Sequence, residues 1–198
     1  MKVDQAIVMK AGRRISLAFA LSLILFLPVA YADNTITLTS PNAQTGGEFG
    51  SSVAVNEGDP IVVVGAFDES AGTPAQPFAG HAYVLDTTTG LITTLTSPNA
   101  QTDGEFGFSV AVSGTTVVVG APGESAGTPA QTQAGNAYIF DATDGSLIIT
   151  LTSPNAQTNG EFGFSVAVTE IDPIVVVGAP GESGGGSPAG GHAYVFFF

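Results

Sequence analysis

The sequence predicts an all-β fold made of three repeats of a four-stranded antiparallel unit, and three observations carry the prediction. The segment Leu-Thr-Ser-Pro-Asn-Ala-Gln-Thr-x-Gly-Glu-Phe-Gly occurs at 38–50, 95–107 and 151–163, a period of 56–57 residues. Between copies lie short runs rich in Val, Ile, Thr, Phe and Tyr, broken by Gly, Pro and Asp, with no helical periodicity after residue 33. One run per repeat, at 61–64, 117–119 and 174–177, is continuously apolar, so both faces of its strand demand burial.

Within the middle period the strands are expected at 106–112, 117–121, 136–140 and 146–152. The first carries small residues, Ser-Val-Ala-Val in each copy, as fits units crowding towards a common axis. The apolar second strand belongs in the middle, and the threonine-rich fourth, at 91–96 one repeat earlier, belongs half in water. Asp144-Gly145, and residues 86–90 in the first repeat, supply turns that tolerate positive φ. Small inside, apolar between and polar outside is the profile of a β-propeller blade. The repeats are expected to span about 41–97, 98–153 and 154–198, with residues 35–40 as an orphan strand able to complete the last blade. Propellers run to about 4–8 blades, so three periods make a partial propeller or one completed by association of chains.

The charge distribution separates the N-terminus from the rest. The chain has 198 residues and a net charge of −13, with 17 Asp and Glu against four Lys and Arg. Those four are Lys2, Lys10, Arg13 and Arg14, and an uncharged stretch at 15–27 follows, then Pro28 and Ala30-Tyr31-Ala32. This is the layout of a secretory signal over residues 1–32, cleaved after Ala32, leaving a mature chain 33–198 that is secreted, extracellular or periplasmic. A retained transmembrane helix is the weaker reading, because about 20 apolar residues are needed to span and Pro28 interrupts the run. A mature domain without Lys or Arg has no basic patch for nucleic acid, and the absence of cysteine excludes disulfides and thiolate chemistry.

Each repeat contains Phe-Gly, at Phe49-Gly50, Phe106-Gly107 and Phe162-Gly163, followed by Gly65-Ala66-Phe67, Gly120-Ala121-Pro122 or Gly178-Ala179-Pro180. This resembles the FG-GAP repeat of integrin α-chain β-propellers and related secreted prokaryotic proteins, over nearly all of residues 35–198. The resemblance implies an extracellular, non-enzymatic propeller module used in adhesion or ligand recognition, often with calcium between the first two strands. Calcium-binding members carry an Asp-x-Asp-x-Asp-Gly type loop there. Here residues 56–60 hold Glu57 and Asp59, residues 169–173 hold Glu170 and Asp172, and residues 113–115 hold no carboxylate. Two carboxylates are too few for a cation that takes 6–8 oxygens, so calcium at Glu57 and Asp59 or at Glu170 and Asp172 would be weak, and solvated turn residues are the preferred reading.

His81 and His192 precede Ala-Tyr where the middle repeat has Asn136, which points to strand-end hydrogen bonding rather than catalysis or metal ligation. Glu48, Glu105 and Glu161 before Phe-Gly, and Glu69, Glu124 and Glu182 after Gly-Ala, are expected to be solvated loop carboxylates. No zinc, phosphate-loop or nucleophile motif appears. The expected function is therefore a non-catalytic recognition module holding a protein or glycan ligand on loops 67–80, 122–135 and 180–191, with self-association able to complete the propeller. A structural or matrix repeat, or an accessory propeller fragment of a larger secreted hydrolase, are the competing classes.

Overall fold

Eleven strands in three antiparallel sheets make up the fold of the computed structural model, which describes residues 35–169 and 174–198. The segment expected to be a signal, with the cleavage expected after Ala32, lies outside the described residues, as do Glu170 and Asp172. Among those described, no helix is long and apolar enough to cross a membrane.

Blade 1 is β1 (Val53–Val55), β2 (Ile61–Ala66), β3 (His81–Asp86) and β4 (Ile92–Thr96), paired in chain order. Blade 2 repeats it with β5 (Ser109–Ser113), β6 (Thr116–Ala121), β7 (Asn136–Asp141) and β8 (Leu147–Thr152). Blade 3 contains β9 (Ser165–Val168), β10 (Ile174–Ala179) and β11 (His192–Phe197), with β11 at its outer edge. The innermost strands β1, β5 and β9 lie beside one another in sequence order.

The 3–4 turns form as their sequence dictates. Gly145 takes φ 73° and donates to Asp141 O, while Asp144 Oδ1 accepts from Ser146 N at 2.8 Å. Gly90 does the same with Asp86, whose carboxylate also accepts from the backbone of Thr88 and Thr89 and is thereby held below its ordinary pKa.

Two expectations about strands change. The first strand of the middle repeat begins at Ser109, not Phe106, because Gly107 turns at φ 93° and the amides on either side of it bond elsewhere, Phe106 N to Ala79 O and Phe108 N back to Glu105 O. Residues 35–40 carry no strand, and blade 3 has three strands among the described residues.

Blade 2 is buried on both faces. Val117, Val119, Tyr138 and Phe140 pack with Val63, Val84 and Leu95 of blade 1. The alternate residues Val118, Ala137, Ile139 and Leu151 pack with Val175 and Val177 of blade 3. The continuous valine run of β6 is therefore explained by sheet-on-sheet stacking, each residue facing one neighbour or the other, while in β2 Val63 faces blade 2. In β11 burial alternates instead, since one face has a neighbour and the other has none among the described residues.

Candidate functional site

Three carboxylates expected in solvent are among the most buried side chains in the protein. Glu69, Glu124 and Glu182 are 1%, 0% and 0% exposed. A buried carboxylate needs a cation or several donors, and the described residues contain no Lys or Arg, so donors must come from hydroxyls, amides and imidazoles. Each repeat supplies them from the same positions. Glu69 accepts from Ser40 Oγ and Tyr83 OH, each at 2.5 Å, and lies 3.1 Å from His81 Nδ1. Glu124 accepts from Ser97, Tyr138 and Asn136, the last at 2.7 Å, and Glu182 from Ser153 and Tyr194, with His192 Nδ1 at 3.0 Å. Ser40, Ser97 and Ser153 arrive on the chain segment entering each blade, so the network fastens that segment to the blade it enters. Burial also pushes the phenols of Tyr83 and Tyr138 far above their usual range.

Asn136 shows why histidine and asparagine interchange here: both present an N–H to one carboxylate oxygen. Serine, histidine and carboxylate come together in repeats 1 and 3, yet the serine hydroxyl donates to the carboxylate rather than to the imidazole, the opposite of a nucleophile relay.

The network predicts a pH effect. Burial lowers the pKa of His81 from 6.5 against a smaller upward pull from Glu69, so its contribution to stability is full above 6.5 and is lost as pH falls through the folded value. Burial raises Glu124 from 4.5 against the hydrogen bonds of its donors, so its contribution has the opposite sign, full below 4.5 and lost as pH rises through the folded value. Replacing His81 by the asparagine that repeat 2 uses removes the first effect and leaves the second in place. The melting temperature of His81→Asn should therefore rise relative to the unsubstituted protein as pH is lowered from 7.5 to 5.5, measured by differential scanning calorimetry (about two pH units, spanning the His range). Parallel curves would show that His81 takes up its proton alike in the folded and unfolded chain, so that its pKa is not lowered by folding.

The Phe-Gly segments join the blades. Phe106 N and Glu105 N donate to Ala79 O and Phe78 O, and Phe162 N and Glu161 N to Ala134 O and Gln133 O, so each long 2–3 loop is zipped to the next repeat. Gly107 O accepts from Ser52 Oγ at 2.7 Å and Gly163 O from Ser109 Oγ at 2.8 Å. A Cβ on Gly65 or Gly120 would meet these same carbonyls at 2.0 and 1.9 Å. The rings of Phe49, Phe106 and Phe162 lie 5.6, 5.7 and 5.8 Å from those of Tyr83, Tyr138 and Tyr194. Phenylalanine, tyrosine and the two glycines thus form one inter-blade joint.

At the rim where these segments emerge, an open cleft of about 210 Å³ lies between blades 2 and 3. Its walls include Glu105 and Phe108 from one Phe-Gly segment, Glu161 and Phe164 from the next, and Pro122 and Gln133 from the loop between. Phe67, Phe108 and Phe164 form an aromatic ladder with centroid separations of 5.3 and 4.9 Å. Glu48, Glu105 and Glu161 all sit at positive φ, 51–57°. Glu105 is not the solvated carboxylate expected: it is half-buried, and burial first, then Asp68, Asp103 and Glu161, hold its pKa above the ordinary value. Asp68 is raised likewise, by burial and then by Glu48 and Asp103.

A family model for the FG-GAP repeat matches residues 90–140 and 146–196. The chain belongs to the FG-GAP repeat family. No curated protein matches it. The model matches span β7 and β11 with the strands before them, and the FG-GAP glycines are the ones that meet at the inter-blade joint. All-β architecture and sheets of four antiparallel strands agree with propeller blades, as the sequence predicted.

In the loop between β1 and β2, Glu57 and Asp59 are exposed, and Asp59 accepts from Asn56 Nδ2 at 3.0 Å. Asp59 lines a second cleft, about 360 Å³, at the opposite rim with Asp86 and Thr143. No group of three metal-capable side chains occurs among the described residues. The buried FG-GAP glutamates escaped sequence reasoning: Ser, Glu and Tyr recur together in every repeat, but so does the largely exposed Pro-Asn-Ala-Gln-Thr, so recurrence did not single them out.

Proposed function

We propose that this FG-GAP chain is an exported, non-catalytic recognition module whose ligand docks at the cleft bounded by Glu105, Phe108, Glu161 and Phe164. The observation that carries the reading is the pairing of two carboxylates with two aromatic rings in one open cleft. Carboxylates attract a cation, and ring faces stabilise it further by about 0.5–2 kcal/mol. The ligand class that fits is a protein segment presenting a lysine or arginine. FG-GAP repeats occur in extracellular and surface proteins, which agrees with an export signal at residues 1–32. A polar network that is repeated three times, buried and without a freed nucleophile supports a non-catalytic role.

Isothermal titration with lysine- and arginine-bearing peptides, set against neutral and acidic peptides, neutral oligosaccharides and calcium chloride, tests the reading. Cationic peptides should bind, more weakly as salt screens the carboxylates, and Glu105→Gln should weaken them about fivefold, the equivalent of about 1 kcal/mol for a partly exposed pair. Binding confined to oligosaccharides, or cationic binding untouched by Glu105→Gln, would contradict the assignment. Heat with calcium alone would revive Glu57 and Asp59 as a weak metal site.

A further inference from the structure

Blade 2 displays what each face of a blade accepts, and the outer faces of blades 1 and 3 present the same residues without a neighbour among the described residues. Val118, Ala137 and Ile139, which blade 3 covers, correspond to Val176, Ala193 and Val195, and Val195 is 51% and Phe197 76% exposed. On the opposite side, Val110 and Val112 lie against blade 1, while their counterparts Val53 and Val55 are 66% and 73% exposed.

The joint is open in the same way. Gly65 and Gly120 each face the carbonyl of the next Phe-Gly, but Gly178 faces only its own blade's Ser165, and Ser165 Oγ makes no hydrogen bond among the described residues. Conversely, Gly107 and Gly163 abut His81 O and Asn136 O of the preceding blade, each 2.2 Å from where a Cβ would stand, whereas Gly50 faces open space. One end of the three-blade stack carries the socket and the other carries the peg.

We infer that the open face of blade 3 receives blade 1 of a second copy of this chain, head to tail, and that two copies close a ring. Ser165 Oγ donates to Gly50 O of the second copy, repeating Ser52 to Gly107 and Ser109 to Gly163. The β3–β4 register, with Ala82 opposite Leu95 and Tyr83 opposite Thr94, sets Leu38 of the second copy opposite Ala193. Residues 36–39 then add to the free edge of β11 as the fourth strand of that blade. Six blades fall within the range of about 4–8 over which propellers close. The contact is heterologous, so its closure depends on the rotation per blade.

Sedimentation velocity and light scattering on the purified chain over a wide concentration range test this. A two-chain species should dominate as concentration rises. Val195→Glu on one face, or Val55→Asp on the other, should each weaken association at least about tenfold, as a charge buried at an interface does. Gly178→Ala fills the socket and should do the same, keeping the test open if a charged variant fails to fold. Mixing Val195→Glu with Val55→Asp should restore a two-chain species, because each retains one intact face. A single chain at every concentration, open polymers without a two-chain limit, or no recovery on mixing would overturn the inference.

Discussion

Gly120→Ala will destabilise the protein by about 3 kcal/mol, the upper end for an overpacked site, while Gly178→Ala will cost the isolated chain under about 1 kcal/mol. Both are the first glycine of the same motif on equivalent strands. A Cβ at Gly120 would stand 1.9 Å from Gly163 O, backbone that is itself fixed by Gly163 N donating to Gly178 O. Relief requires blade 3 to move as a body. A Cβ at Gly178 meets only the Ser165 hydroxyl, at 2.4 Å, and that side chain is exposed and can rotate away. Urea unfolding of both variants at concentrations where a single chain prevails gives the comparison. Equal losses would mean that the stacking of blade 3 on blade 2 is not what makes this position intolerant.

Phe106→Ala will cost about 3–5 kcal/mol, the range for deleting a fully enclosed aromatic ring. Phe106 is 0% exposed, stands 5.8 Å edge-on from Phe140 and 5.7 Å from Tyr138, and belongs to the cluster that joins blades 1 and 2. Its removal opens a cavity between two sheets that cannot both collapse into it, because each is tied to its own hydrogen-bonded ladder. Phe49→Ala removes the equivalent ring at a partly exposed position and should cost about half as much. The pair is read from urea midpoints with unchanged slopes. A Phe106→Ala loss no larger than that of Phe49→Ala would count against the inter-blade cluster as the main source of stability.

Much of the blade was legible in the residues. Continuous valine runs announced strands buried on both faces, and β6 is enclosed in that way, since Val118 faces one neighbour and Val117 and Val119 the other. Asp144-Gly145 announced a turn, and Gly145 adopts it. The interchange of His81 with Asn136 announced a hydrogen bond, and both donate to a glutamate. What the glutamates themselves do was not legible. Glu124 sits in an Ala-Pro-Gly-Glu-Ser loop that reads as solvent-facing, and only the arrival of Ser97 from the preceding repeat and Tyr138 from the next strand encloses it.

The cleft at the rim was illegible for a related reason. Glu105 and Glu161 lie 56 residues apart and read as loop carboxylates, yet the stacking of blades brings them around the same opening with Phe108 and Phe164. Burial between the stacked blades first, and then the repulsion of Asp68, Asp103 and Glu161, raises the pKa of Glu105, and both arise only once the blades are stacked.

The sequence by itself determined the repeat, the strand order within it and the lack of any lysine or arginine after Arg14, because periodicity, β-propensity and composition are local properties. Only the tertiary structure decided which carboxylates are buried, which glycines are pressed against a neighbouring backbone and which faces are left uncovered. Those properties depend on what stands on the other side of each residue, and in stacked repeats the other side belongs to the next copy of the same words.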